Sequence, residues 1–465
     1  MRTDGERPSA ASLFLSLSSR PHPVMEETLP PRSVYGRLLT NPGYTRVFFA
    51  GLGSTAGSAI ASVCLVWIVF VDTGSPLDVG LLGTAWLVAG ILFSVFGGTL
   101  VDRYDRRRLM IGADVARALA MTAVVIVLEL HGFELLTILA AYFVVGAFTT
   151  VFNPAEQAIV PALVESALVA DANGLVRSSR SALSFIGVSI GGVLIVSLGP
   201  AAGVAANAVT FALSATLLFG MTTRPLAEAQ KRPKSSYLSD VREGFRWLGK
   251  ATGFLELTIS ATFFNFCANL VATFIVVFVT ILLHGSALTF AFLLALEVAG
   301  TGIGSLLVSR VRAVRYAGRA WTIGAGSASG VMALLLAVFP SVPTAAVGLF
   351  AIGLFSGFAG TAWLTAAQLL VPTEMQGRYF GIDALGSIAI IPAAQIGGAL
   401  LIEGYGVQAT YLGTAVLWVA AGVIFLFPKA LATLGYPPRG VPPVTLRNDA
   451  VAAGTSGSPE GSRAS

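Results

Sequence analysis

Residues 97–110 read GGTLVDRYDRRRLM. Hydrophobic sequence leads into this stretch and hydrophobic sequence follows it, yet Asp102, Arg103, Asp105, Arg106, Arg107 and Arg108 put six charges into seven positions. The rest of the chain makes this cluster informative. Only 11% of its residues are charged and 55% are hydrophobic, with a mean hydropathy of +0.79. A soluble domain carries roughly 25% charged residues. A deficit of this size means that lipid solvates most of the chain. Hydrophobic runs of about 20 residues recur along it, and at 1.5 Å per residue each crosses a hydrocarbon core of roughly 30 Å. Backbone polar groups there must satisfy one another, so the runs are expected to be helices. They are too continuous for the alternation of a membrane barrel. The charged stretch is then a loop between two membrane-crossing helices.

Twelve such runs are expected, at about 46–70, 77–101, 109–130, 133–154, 175–198, 200–220, 254–283, 287–309, 320–340, 343–366, 377–402 and 406–427. The chain holds 29 Lys and Arg residues, and none falls in the loops after odd-numbered runs. With Arg117 excepted, they lie in the other loops, the tails or the adjoining helix ends. The positive-inside rule then puts both termini in the cytoplasm of a cell-membrane protein. It also explains the net charge of +5 without nucleic acid. Cys64 and Cys267 fall inside spans and His22, His131 and His284 are scattered, which points to no disulfide framework, no metal site and no cofactor. No nucleotide-binding loop or catalytic triad stands out, so an enzyme is not expected.

Residues 1–40 and 429–465 have the composition of disordered cytoplasmic extensions. Bundles at 41–220 and 254–428 flank a basic connector, 221–253. In the connector Tyr237, Val241, Phe245 and Leu248 recur at helical period, as in an amphipathic helix on the membrane face or an ordinary solvated linker helix. The bundles repeat one another. AEQAIVP at 155–161 matches AAQLLVP at 366–372, and IGGVL at 190–194 matches IGGAL at 396–400. Both matches are placed at the loop after the fourth span of a bundle and in its fifth span. Two related six-helix bundles suit a transporter whose site lies between them.

The segment Gly98-Thr-Leu-Val-Asp102-Arg103-Tyr104-Asp105-Arg106-Arg107 resembles the G-x-x-x-D-R-x-x-R-R signature of the major facilitator superfamily, in position as well as spacing. That resemblance implies an all-α membrane protein of twelve transmembrane helices in two pseudo-symmetric six-helix bundles. It implies a gating motif in which Gly98 permits close packing. Asp102 would sit at the N-terminal end of the eleventh helix, whose dipole favours an anion, and with Arg103, Arg106 and Arg107 it would hold the cytoplasmic side shut. Topology signalling alone accounts for the arginines but not for Asp102. Residues 71–119, IVPALV with ADANGLVRSS, and VPTEMQGRYFGID are similar to the drug:proton antiporter-3 branch, which includes macrolide, tetracycline and siderophore exporters. One departure is in the fifth span. Antiporters often carry G-x-x-x-G-P-x-x-G-G there; Gly187, Gly191 and Gly192 fit, but Leu183 and Val188 replace the first Gly and the Pro.

Ionisable groups inside spans need a reason, because a mid-bilayer charge costs at least about 2.5–3.5 kcal/mol on insertion scales. Asp114 and Arg117 share a helical face. They read as a neutralised structural pair, or as a gating or coupling pair. Glu297, in LLALEVAGTGIG, has no basic residue close in sequence and reads as a candidate proton carrier or as a glutamate bonded to a neighbouring helix. Asp383 and Glu256 are further candidates, each nearer a surface where capping or pairing with basic loops is the commoner role. Glu156 and Gln157 read as structural residues at a turn. Phe263, Asn265, Phe266 and Asn269 form an aromatic and amide face that, with Trp67 and Trp363, is a candidate lining for a substrate cavity, although helix packing is the commoner fate. The spacings Gly53/Gly57, Gly187/Gly191, Gly300/Gly304 and Gly353/Gly357 suit close helix approach, and Pro392 is expected to kink the eleventh span. The expected function is proton-coupled efflux of hydrophobic or amphipathic small molecules by a monomer, with the lipid bilayer as its surroundings. The alternatives are export of a native metabolite or siderophore, and a sensor or scaffold without flux.

Overall fold

The computed structural model describes residues 34–165, 168–221, 246, 248–249, 253–311, 317–371 and 373–428, with the backbone alone for 95–99, 102–103, 170, 309–311, 317, 373–374, 377, 384–385 and 388. After a short helix, Val34–Thr40, come α1 (Pro42–Thr73), α2 (Pro76–Arg103), α3 (Arg106–Leu130), α4 (Leu135–Leu163), α5 (Val169–Ser197) and α6 (Pro200–Phe219). The second bundle holds α7 (Phe254–Thr273, continued by Ile275–Val277 and a π-helical turn at Phe278–Leu282) and α8 (Ala287–Val311). It continues with α9 (Ala317–Ala320, a π-helical stretch Trp321–Ala328, then Ser329–Val338) and α10 (Val342–Leu370). α11 (Thr373–Ala389 and Ile391–Tyr405) and α12 (Val407–Ile424) complete it.

Helix starts follow local chemistry. Asn41 caps α1, its Oδ1 accepting from the Gly43 and Tyr44 N–H groups at 3.0 and 3.1 Å. Ser75 caps α2 and Ser341 caps α10. Pro42, Pro76 and Pro200 occupy the first helical position, where a missing N–H costs nothing.

Among the described residues, eleven helices are long and apolar enough to cross a membrane. The expected twelfth, α11, is divided at Ile390 into segments of 17 and 15 residues. Pro392 explains the break: it lacks the N–H that would reach the Ile388 carbonyl, and its ring crowds the preceding turn. Three further expectations are corrected. Residues 34–40 are helical rather than part of a disordered extension, and Arg37 there pairs with Glu165 at 3.0 Å. AEQAIVP lies within the last turns of α4, not in a loop. α5 starts at Val169, six residues before the expected start at 175, which puts Arg180 three turns inside it. Of the connector's apolar face, Tyr237, Val241 and Phe245 lie outside the described residues, and Leu248 is buried.

Glycines set the closest helix contacts. Gly300 and Gly304 of α8 lie on the backbone of α10 at Phe350 and Leu354, and Gly353 and Gly357 of α10 lie on α8 at Glu297 and Thr301. A methyl group at any of the four would collide with a carbonyl. Gly187 and Gly191 pack on α1 in the same way. Gly53 does not share this role, since nothing lies within 4 Å of where its Cβ would be.

The bundles touch through α2 with the second segment of α11, and through α5 with α8. The Thr84 hydroxyl donates to Gln395 Oε1 at 3.0 Å. Gly192 abuts Ala291, and Trp67 stacks on Phe290 with ring centroids 6.0 Å apart. These contacts sit in the half of the molecule nearer the connections that lack Lys and Arg.

Candidate functional site

Below those contacts lies a cavity of about 530 Å³. Its walls come from α1 to α6 of the first bundle and from Leu294 and Val298 of α8 in the second. The α1 wall is a stripe of hydroxyls. Ser54, Ser58 and Ser62 recur every four residues on one face, with Thr55 beside them. The Thr55 hydroxyl is spent on Gly51 O at 2.8 Å, whereas Ser54 Oγ is buried without a hydrogen-bond partner. Trp86, Tyr142, Phe152 and Val188 supply apolar surface; Asn153, Ser184 and Asn207 add polar groups.

Two guanidinium groups reach this cavity, Arg117 and Arg180. Arg117 lies eleven residues into α3, about 16 Å along the helix at 1.5 Å per residue. It pairs with Asp114, one turn earlier on the same helix, and Asp114 Oδ2 accepts from the Ser214 hydroxyl of α6 at 2.6 Å. The Arg117 guanidinium lies over the rings of Phe152 and Phe211, 4.3 and 4.5 Å from their centroids. Planarity and weak hydration suit arginine to such a site. Arg180 of α5 pairs with the buried Glu156 of α4, and both lie against Gly51 of α1, which has no side chain to displace them. Among the described residues, these two ion pairs border the cavity, each with its arginine in the lining and its carboxylate residue outside it.

The charged loop divides its labour. Asp105 caps α3, its Oδ1 accepting from the Arg108 N–H at 2.9 Å. Arg106 donates to Ala158 O at 2.7 Å, near the end of α4, and Arg107 donates to Leu218 O at 2.8 Å and to Phe219 O at the end of α6. Arg107 thus satisfies carbonyls at a helix C-terminus, where cations are favoured. The side chains of Gly98, Asp102 and Arg103 lie outside the described residues.

The remaining sequence candidates are dispersed. Glu256 caps α7, its Oε2 accepting from the Gly253 N–H at 2.9 Å, as its position near the helix start suggests. Asp383 is buried on α11, and its Oδ1 has no hydrogen-bond partner; among the described residues no ion pair reaches it. Glu297 is half-buried on α8, one position from the cavity-lining Val298. None of the six cavity candidates lines the 530 Å³ cavity. Trp67 helps join the bundles, and Trp363 donates to the Tyr379 hydroxyl at 3.3 Å. Phe263 packs edge-on against Phe264, and Asn269 bonds back to Asn265 O at 2.9 Å. Phe266 lines a second, more apolar cavity of about 360 Å³ among α7, α11 and α12. The sequence carries a signal for the serine stripe, since Ser54, Ser58 and Ser62 stand at helical spacing. Arg180 carries none, because it stands close to the expected start of its helix, where a cation needs no explanation.

Comparison with known proteins places this geometry. The family described as Major Facilitator Superfamily matches residues 47–389. A relative named multidrug efflux pump Tap, from Mycobacterium tuberculosis, is 23% identical over 406 residues, covering 84% of this chain and 95% of that protein. Macrolide efflux protein A of Streptococcus pyogenes is 26% identical over 213 residues, 45% of this chain and 52% of its own length. Among solved structures, the nucleoside transporter NupG superposes with a TM-score of 0.67 at 10% identity, covering 83% of this chain and 99% of that one. A bacterial homologue of the lysosomal transporter Spinster, inward-facing and occupied, gives 0.65 at 14% identity over 88% of this chain and 99% of its own. The all-helical fold and the family match over most of its length establish that this chain is a multi-pass membrane transporter belonging to the Major Facilitator Superfamily.

Proposed function

We propose that the protein exports hydrophobic or amphipathic small molecules across the cell membrane in exchange for protons, by alternating access of two bundles, residues 41–220 and 254–428. The observation that carries this reading is the cavity midway along the crossing helices, walled by both bundles, with ionisable groups in or beside its wall. The relatives named as efflux pumps support the direction of transport. The basic loops put the termini and connector in the cytoplasm. With the bundle contacts clustered toward the opposite face, this conformation opens inward. Asp102 latches the inner side, and Glu297 carries the proton. One proton entering across about 100 mV releases about 2.3 kcal/mol, enough to concentrate a neutral solute roughly 40-fold at 1.4 kcal/mol per tenfold.

The test is flux in vesicles of purified protein. Under an imposed pH gradient, a fluorescent amphipathic substrate should move uphill, and collapsing the gradient should stop it. Uphill movement that ignores the gradient removes proton coupling, and no flux of any compound in a broad panel favours the scaffold reading.

A further inference from the structure

We infer that the cavity of the first bundle selects an amphipathic organic acid, whose anionic group is held at Arg180 and Arg117. This rests on the reading of the chain as a small-molecule exporter and adds the class of its cargo. Both guanidinium groups line the cavity, while the carboxylates that pair with them, Asp114 and Glu156, do not. The ligand therefore meets the positive end of two dipolar pairs. Each guanidinium offers five N–H donors, more than one carboxylate engages, and the buried Nε of each is without a partner. The Ser54 hydroxyl, 6% exposed and also unpartnered, adds a donor on the facing helix. Arginine forks match carboxylate-like groups in geometry as well as charge. Leu294 and Val298 of the second bundle, with Trp86, give the lining an apolar part that suits the body of an amphipathic molecule. A volume of about 530 Å³ holds a drug-sized ligand. A lipophilic cation would face like charge at this wall, and a neutral solute would leave the spare donors unmet.

The test uses two dyes on one xanthene scaffold: fluorescein, anionic at neutral pH, and tetramethylrhodamine methyl ester, cationic. Binding to the full chain in lipid nanodiscs, with no gradient, is read by fluorescence anisotropy. Fluorescein should bind at least about tenfold more tightly, a difference of 1.4 kcal/mol. Glu156→Gln removes the carboxylate that competes for Arg180 and should tighten fluorescein binding, which a purely structural ion pair would not do. The double variant Glu156→Gln, Arg180→Gln leaves no uncompensated charge and should bring the two dyes within about twofold of each other. If the double variant does not fold, Arg180→Lys, which keeps the charge and loses the fork, should still weaken fluorescein binding several-fold. The proposal fails if the cationic dye binds as well as fluorescein, if neither dye binds, or if Arg180 variants that fold leave the preference intact. Because no gradient is used, fluorescein that binds but is never transported counts against the exporter reading alone. A cationic dye pumped by a protein that does not discriminate in binding counts against this inference alone.

Discussion

Arg180 of α5 and Glu156 of α4 form an ion pair that rests on the bare backbone of Gly51 in α1, so one interaction ties three helices together beside the cavity. A Cβ on Gly51 would run into the Glu156 carboxylate and the Arg180 guanidinium. Gly53, two residues away, has open space around it. Gly51→Ala should therefore cost about 1–3 kcal/mol, the usual range for overpacking, while Gly53→Ala should stay within about 0.5 kcal/mol of the parent. Thermal unfolding of the two variants in detergent checks this, and equal melting temperatures would remove Gly51 from its supporting role.

The second pair makes a different prediction. Arg117→Leu leaves Asp114 buried without its cation and should cost about 3–5 kcal/mol. Arg117→Lys keeps the charge but gives up the guanidinium contact with the Phe152 and Phe211 rings, worth about 0.5–2 kcal/mol per ring. Its melting temperature should fall between those of the parent and Arg117→Leu. A lysine variant as stable as the parent would show that the two rings contribute nothing.

Thr84 and Gln395 hold the bundles together from α2 and α11. Thr84→Val removes that hydrogen bond at nearly constant volume, a loss of about 1 kcal/mol. The equilibrium should shift about fivefold toward a state open on that side. A cysteine introduced by Ser62→Cys in the cavity wall, in a chain whose own Cys64 and Cys267 are replaced by alanine, reports the shift when probed with a membrane-impermeant maleimide from each face. Unchanged labelling from the Lys- and Arg-free face would mean that this contact does not govern closure.

Coupling and gating separate in the vesicle assay. Glu297→Gln should abolish uphill, gradient-driven flux and spare downhill exchange, because an amide cannot carry the proton. Asp102→Asn should preserve folding and topology and slow both fluxes. Uphill transport that survives in Glu297→Gln removes that residue from the mechanism, and normal rates in Asp102→Asn dispose of the latch.

Much of the architecture is legible along the chain. The spans, the alternation of Lys- and Arg-rich connections and the QxxVP repeat are local or periodic features, because a bilayer imposes length and polarity on each helix separately. Even the break in α11 follows from Pro392. The side chains that form the cavity are harder to read. Asp114 and Arg117 stand one turn apart and can be paired by inspection, but the placement of the Arg117 guanidinium over Phe152 of α4 and Phe211 of α6 cannot. Glu156 reads as a turn residue because Pro154 is an expected helix end; neighbouring helices support α4 through two prolines, and Arg106 donates to Ala158 O near Pro161.

By itself the sequence determined that this is a helical membrane protein of two related halves, because hydrophobic length, charge placement and repetition are properties of segments. Only the tertiary structure decided that the cavity belongs mostly to the first bundle, with Arg117 and Arg180 in its wall and the aromatic face of α7 elsewhere. Which side chains share a cavity depends on the rotation and depth of neighbouring helices, and those are set by contacts between residues far apart in the chain, such as Gly51 with Arg180 and Gly300 with Phe350.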